Sequence, residues 1–434
     1  MSSRASGRMG QSPRGGALIS ALFFLSPLLT AAAPRLSPFF LPIIGLMLII
    51  AALRRGLDWR ELLKPNAALI ALVVVALYTC LSGAWAANPE GAIGKSAILL
   101  AAALVVFAAT TAMTTLDQGE IARASRAFVV GVLCAAGFVT VELLTDGALT
   151  RAAMNSISLF RPERAKHMSV VGGRVTKINL SEFNQHVAML ALSLWPGLLA
   201  LRALYGPRRI LIMVLFFAVL AVPIALSEHD SSQVALVASL IVLPLAWGWP
   251  RAVIRGLALA WCLGFVLVLP LDFLAYKAEL HQATWLPSSA RARIIIWEFT
   301  AERVLERPWF GIGADSTPAV KAKSEAQPDW PKGFVYKRTT GQHAHNLFLQ
   351  AWYELGLAGV ILMAIAGTAL LLRIPLLAWE AQPYAVASFV MFAVMATFAW
   401  GIWQIWLMCA FALLPLYLCL AAAPFRGDAK SKPS

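Results

Sequence analysis

The chain has 434 residues, 59% of them hydrophobic and 13% charged, with a mean hydropathy of +0.72. A water-soluble domain is about half apolar and a quarter charged, so this composition excludes a soluble globule or a disordered chain. The apolar runs are also too continuous for an outer-membrane barrel, whose strands alternate over ~10 residues. The formal charge of +14 does not point to nucleic acid, because the basic residues adjoin apolar runs and are not gathered on a soluble segment with a nucleic-acid motif. Charges so placed act first on topology and on membrane lipids.

A spanning helix needs ~20 mostly apolar residues. The pattern predicts about twelve, at 17–33, 37–53, 67–86, 96–114, 127–145, 186–204, 210–227, 233–248, 256–274, 345–372, 384–400 and 403–422. The expected fold class is therefore an all-α polytopic membrane protein with a large outside loop that carries an amphipathic helix. Three parts follow: 1–274 with nine spans and a basic loop at 146–185, a large loop at 275–344, and 345–434 with three spans and a tail.

Arg4, Arg8 and Arg14 precede the first span with no acid among them, which places the N-terminus in the cytoplasm. The Arg-rich start, apolar run and Ala31-Ala32-Ala33 also fit a cleavable signal peptide; with Met1 in front, the segment is read as a retained helix. Alternation then gives every short cytoplasmic connection basic residues and puts both termini inside. Of the 18 basic residues left outside, six lie in 146–185 and ten in 275–342. Long loops cross regardless of charge, so these cations need another reason to be there. Anion binding is one: Arg forks match phosphate oxygens bidentately. A solvated loop against anionic head groups is the plainer one.

All five cysteines fall within spans, whereas the six histidines lie in or beside outside segments. The chemistry of the chain is thus expected to face outward. In the long loop, Ile294, Trp297, Ala301 and Val304 or Leu305 recur at helical spacing, with Glu298, Glu302 and Glu306 on another face. Ser288 or Ser289 is placed to cap this helix and Pro308 to stop it. Arg291 and Arg293 would then occupy its first turn, where free N–H groups favour an anion; snorkelling to lipid is the alternative.

Gly311-Ile312-Gly313 reads as a turn, since it lacks the strand and the Lys-Ser/Thr of a nucleotide loop. His343 and His345 sit where the loop meets the next span, each able to act as a neutral base, and the pair lacks the remaining ligands of a zinc site. Asn346 can orient an imidazole or cap the span, capping being the commoner use. Glu228-His229-Asp230 forms a short outside turn that is read as solvated, with a divalent metal as the weaker alternative.

Arg293-x3-Trp297, Pro308-x2-Gly311-x-Gly313 and His345-Asn346-x2-Leu349-Gln350-x3-Glu354-x-Gly356-x2-Gly359 together resemble the signature region of the O-antigen ligase/polymerase superfamily. The match is close over roughly 291–359, and Phe183-Asn184-Gln185-His186 resembles a weaker second element. The resemblance implies a GT-C-like, metal-independent glycosyltransferase of the bacterial inner membrane with a periplasmic active site and no cofactor. Its partners would be undecaprenyl diphosphate-linked O-antigen, lipid A-core and membrane lipids, and no nucleic acid. Polymerases of the superfamily pair Arg-x10-Gly motifs in two outside loops; here Arg161 and Gly172 fit once. A protein-glycosylating branch extends further on the periplasmic side, whereas this chain ends in a short basic tail. A ligase is the expected member.

On that reading Arg161, Arg164, Lys166, Arg174 and Arg293 hold the diphosphate and stabilise the leaving oxygen, with Arg291 and Asn346 as further substrate contacts. His345 is the expected general base and His343 its reserve. A transporter is the competing class. Carriers place ionisable groups at mid-bilayer and repeat their halves, and neither feature is visible here.

Overall fold

A computed structural model describes residues 13–157, 168–320, 338–398 and 400–428. Arg161, Arg164 and Lys166 lie outside the described residues.

Among the described residues the architecture is helical apart from one hairpin. The long helices are α1 (Pro13–Ala32), α2 (Ser37–Arg54), α4 (Ala67–Leu81), α5 (Pro89–Ala112), α6 (Gln118–Leu144), α8 (Asn184–Tyr205), α9 (Ile210–Leu226), α10 (Asp230–Gly248), α11 (Pro250–Lys277), α13 (Leu347–Leu371), α14 (Gln382–Phe398) and α15 (Ile405–Ala422). Short helices α3 (Trp59–Leu62), α7 (Ala148–Ser156) and α12 (Ser288–Val304) lie between them. Each expected span coincides with one long helix. Ten are long and apolar enough to cross a bilayer, and α9 and α14, at 17 residues each, fall just short. The chain is an all-α polytopic membrane protein.

Composition explains which helix lies where. Helix α8 is buried without a break from Val187 to Leu201, as a helix that is apolar all round should be, and α1, α6, α9, α14 and α15 pack around it. Helix α9 is equally apolar but leaves Ile210, Leu211, Val214, Leu215 and Val219 exposed. With no water to hide from, such a face suits lipid.

Several helices start earlier than hydropathy indicates, because a polar cap precedes the apolar run. Asp117 accepts from the Glu120 N–H while Glu120 accepts from the Asp117 N–H, a capping box that begins α6 nine residues before its apolar run. Asn88 caps α5, which starts seven residues before its expected span, by accepting from the Gly91 N–H.

The connections 145–183 and 278–346 leave from the same end of the bundle, here called the loop-bearing end. The first contains α7 and a hairpin of β1 (Met168–Val171) and β2 (Arg174–Ile178), antiparallel, with Met168 opposite Ile178 and Val171 opposite Arg174. Gly172 and Gly173 both take positive φ at its tip, the conformation a two-residue hairpin turn demands. Asn155 of α7 holds the hairpin by pairing with both the N–H and the C=O of Val175. The hairpin was not among the expected elements, although Gly172-Gly173 between Val171 and Arg174 is a turn signal for one.

The second connection contains α12. Its buried side is broad, with Ile294, Ile295, Ile296, Glu298, Phe299, Thr300, Ala301 and Val304, so it packs on α11 and α13 and not as a thin stripe on lipid. Val304 continues the buried face and Leu305 is exposed. Neither serine caps it: Pro287 stands at the cap position without a side-chain bond, and Ser289 instead donates to Asp230. With the helix starting at Ser288, Arg291 is in the first turn and Arg293 in the second.

Candidate active site

Two structures are built from the motif residues at the loop-bearing end. One is a clasp. Helix α13 breaks at Gly356 (φ 64°, ψ −167°), and the turn at 308–313 is laid across the break. The Ile312 and Gly313 N–H groups donate to the carbonyls of Tyr353 and Glu354, and Leu357 and Ala358 donate back to Pro308 and Trp309. A Cβ on Gly356 would lie 2.4 Å from the Phe310 nitrogen, and one on Gly311 the same distance from the Glu354 carbonyl carbon. Only glycine permits this approach.

The Glu354 side chain is fully buried beneath the clasp. It accepts from the Asp315 N–H at 3.0 Å, the Thr317 N–H at 3.2 Å, the Thr317 hydroxyl and the Trp403 indole. Gln350 donates to it and accepts from the Ile402 N–H, tying in the segment before α15. A carboxylate with this many donors is structural: every lone-pair direction is occupied.

Around Arg293 the polar groups behave differently. Trp297 donates to the Ala344 carbonyl at 2.8 Å, fixing the 343–345 segment over α12. The rings of His343 and His345 lie with centroids 4.1 Å apart and planes tilted by 48°. His345 holds φ at +52°, a left-handed conformation that a non-glycine residue adopts at some cost and that often marks a functional position. The Nε2 of His343 is buried and has no hydrogen-bond partner. Burial, with His345 and Arg293 adding to it, pushes the His343 imidazole down to about 4. It is therefore neutral at pH 7.

Arg293 forms no hydrogen bond or ion pair among the described residues. Burial pushes its pKa down, and the Asp230 carboxylate opposes that. Its side chain lines a cavity of about 380 Å³ with Ser181, Asn184, Glu228, His229, Asp230, Ser231 and Ser289. His229 is 5% exposed, with its ring stacked on Trp400 at 4.7 Å. Its Nδ1 bonds the Ser232 hydroxyl at 2.6 Å and its Nε2 has no partner. Burial and nearby Arg293 push this imidazole down to about 3.

Of the residues expected to carry function, Arg293, His343 and His345 are gathered at one place, and Asn184 of the weaker second motif lines the cavity with Arg293. Asn346 is the cap of α13: its oxygen accepts from Phe348 and Leu349. Arg174 is exposed at the hairpin tip and does not line the cavity. Arg291 lies one helical turn before Ile294 and outside the lining. The Nδ1 of His186 donates to the Ala31 carbonyl at 2.8 Å and its ring lies tilted against Phe183, a packing role.

His229 corrects the reading of 228–230 as a wholly solvated turn. Glu228 and Asp230 are exposed, but the residue between them is buried. Its flanking acids hid this, because the burying partner, Trp400, is 171 positions away. Among the described residues no three His, Cys, Asp or Glu side chains converge as a metal-ligand set.

A membrane-embedded helical bundle with a polar, imidazole-bearing pocket around one buried arginine is the class of protein these features define. Residues 215–364 match the family described as O-Antigen ligase. The Rickettsia conorii protein named "Putative polysaccharide ligase" is 25% identical over 291 residues, or 65% of this chain and 62% of that protein. The resemblance to the O-antigen ligase superfamily is thereby borne out over 215–364, the stretch that holds Glu228 to Ser231, Arg293, both imidazoles and the clasp.

Proposed function

We propose that the chain is a lipid-linked glycosyltransferase that moves O-antigen polysaccharide from undecaprenyl diphosphate to lipid A-core, at the periplasmic face of the bacterial inner membrane. The observation that carries this reading is the meeting of Arg293 with the His343–His345 pair beside a polar cavity at the helix ends. A lipid diphosphate lies at head-group depth and its glycan extends outward, so both reach a site at that level.

His345 takes the proton from an acceptor sugar hydroxyl as that oxygen attacks the anomeric carbon of the donor. The bond from that carbon to the diphosphate oxygen breaks, undecaprenyl diphosphate leaves, and a single displacement inverts the configuration. Arg293 stabilises the charge gathering on the leaving oxygen, joined by basic residues of the 146–185 loop: Arg161, Arg164, Lys166 and Arg174. His343, held neutral, supports the His345 ring without placing a second cation next to it. No step calls for a metal.

The test is transfer by purified protein from glycan-loaded undecaprenyl diphosphate, without ATP or an ion gradient, with lipid A-core, growing glycan and peptide offered separately. Product on lipid A-core that persists in a chelator is the expected result. Product on the glycan or the peptide would make the protein a polymerase or a protein-glycosylating enzyme, and movement of donor lipid without bond formation would make it a transporter.

A further inference from the structure

Among the described residues, the lining of the cavity carries two carboxylates, Glu228 and Asp230, against one guanidinium, Arg293. A diphosphate placed here would meet a net negative wall, and like charges at short range repel strongly where water is scarce. A bare cation would meet Arg293. A neutral ligand with many groups that both donate and accept escapes both penalties.

Two further side chains sharpen this. His229 and Ser231, 5% and 2% exposed, each present a polar atom without a partner, Nε2 and Oγ. Buried polar atoms in folded proteins are almost always paired, and an orphan calls for a missing partner. With Nδ1 engaged by Ser232, the Nε2 of His229 is a donor in one tautomer and an acceptor in the other. A hydroxyl satisfies either, whereas a phosphate oxygen only accepts. The buried Asn184 Oδ1, also unpaired, needs a donor, which a fully ionised phosphate lacks. The volume of about 380 Å³ falls within the usual range for small-molecule sites, about 300–1,000 Å³.

We infer that the cavity bounded by 181–184, 228–231 and 289–293 is a sugar subsite: Glu228, Asp230 and Asn184 accept from ring hydroxyls, Arg293 donates to them, and His229 and Ser231 complete the ring's hydrogen bonds. The assignment deepens the glycosyltransferase reading and rests on it for the identity of the sugar, which belongs either to the donor glycan or to the acceptor core. Arg293 then stands at the seam, with the sugar on its cavity side and the leaving phosphate on its imidazole side.

Binding decides it without turnover. Core oligosaccharide freed from lipid A, free O-glycan repeat unit, and undecaprenyl diphosphate without glycan are titrated separately against purified protein, by saturation-transfer NMR for the sugars and calorimetry for the lipid. Two variants are compared with the unaltered chain: Glu228→Gln with Asp230→Asn, and His229→Phe, which keeps the stack on Trp400.

Both variants are expected to weaken one oligosaccharide by about tenfold or more, the first through loss of charge-assisted hydrogen bonds and the second through loss of the imidazole bond, and to leave the glycan-free lipid within about twofold. Whichever oligosaccharide responds names the source of the sugar. Unaltered protein that binds neither sugar, or variants that bind both as before, would overturn the subsite. So would a large gain in affinity for glycan-free lipid in the Gln/Asn variant, since that would mean the acids had been repelling a diphosphate lodged there. If the unaltered protein binds the sugars but transfers nothing, the enzymatic reading fails while the subsite stands.

Discussion

The clasp around Glu354 and the pocket around Arg293 are built from the same run of motif residues and lie at the same end of the bundle, yet their hydrogen bonding is opposite. In the clasp each buried polar group is matched: Glu354 receives four kinds of donor, and the carbonyls freed by the break at Gly356 are covered by Ile312, Gly313 and the Tyr78 hydroxyl. In the pocket, among the described residues, His229, Ser231, Asn184 and His343 each keep an unpaired atom beside an arginine without an ion pair. A motif thus mixes residues that make the backbone possible with residues held ready for a ligand, and hydrogen-bond satisfaction separates the two.

The sharpest way to break that contrast is Glu354→Ala. Five donors, the Asp315 and Thr317 N–H groups, the Thr317 hydroxyl, the Trp403 indole and the Gln350 amide, would lose their acceptor at about 1–3 kcal/mol for each one left buried, so folded protein recovered from membranes should fall steeply and unfolding in detergent should move well down in temperature. Normal unfolding together with lost transfer would show that Glu354 acts on substrate and that the clasp is not purely structural. In the pocket the expected pattern is reversed. His345→Ala should lower transfer ~10²–10⁴-fold, the usual worth of a general base, and Arg293→Ala ~10²–10³-fold, that of an electrostatic stabiliser, both with unfolding temperature unchanged. A His345→Ala protein that transfers at the normal rate would remove that residue from catalysis.

Acid should separate the two regions more gently. His343 and His229 are depressed to about 4 and about 3, while an unfolded histidine titrates near 6.5. Between about pH 6.5 and 4 the unfolded chain takes up protons that the folded one refuses, so stability present at neutral pH declines as pH falls through that window. Unfolding temperature measured against pH should show the slope, and His343→Phe should flatten part of it; an unchanged slope in that variant would mean that His343 is open to solvent. The smallest effect belongs to Trp297→Phe, which deletes one bond to the Ala344 carbonyl. Its cost in stability should be about 0.5–1.5 kcal/mol, with a loss of transfer larger than that stability change explains, because the imidazole segment is no longer pinned.

Much of this was legible in the chain itself, for a physical reason. Hydropathy is a local signal, so every long helix could be placed, and the errors lay at starts such as Gln118, where a polar capping box precedes the apolar run. Gly311 and Gly313 could be seen as a turn, but what the turn approaches could not: Gly311 meets the Glu354 backbone and Gly313 meets Ala86, far back in the chain. Arg293, His343 and His345 were recognisable by resemblance and by their side of the membrane. His229 was not, because its burial depends on Trp400, and Arg174 drew notice through charge alone, though it stands at an exposed hairpin tip.

The clasp also bears on how the molecule is made. The end of α4 and the residues after it are completed by distant partners: Ser82 accepts from the Ala314 N–H, Trp85 donates to Phe310, the Ala87 N–H donates to Ser316, and Tyr78 donates to Leu355. A chain emerging from the ribosome therefore inserts α4 and α5 long before the segments that finish their ends exist. Until α13 arrives, these early helices must stand with ragged, incompletely bonded tips, so the nascent protein is most open to quality-control proteases between insertion of α5 and insertion of α13.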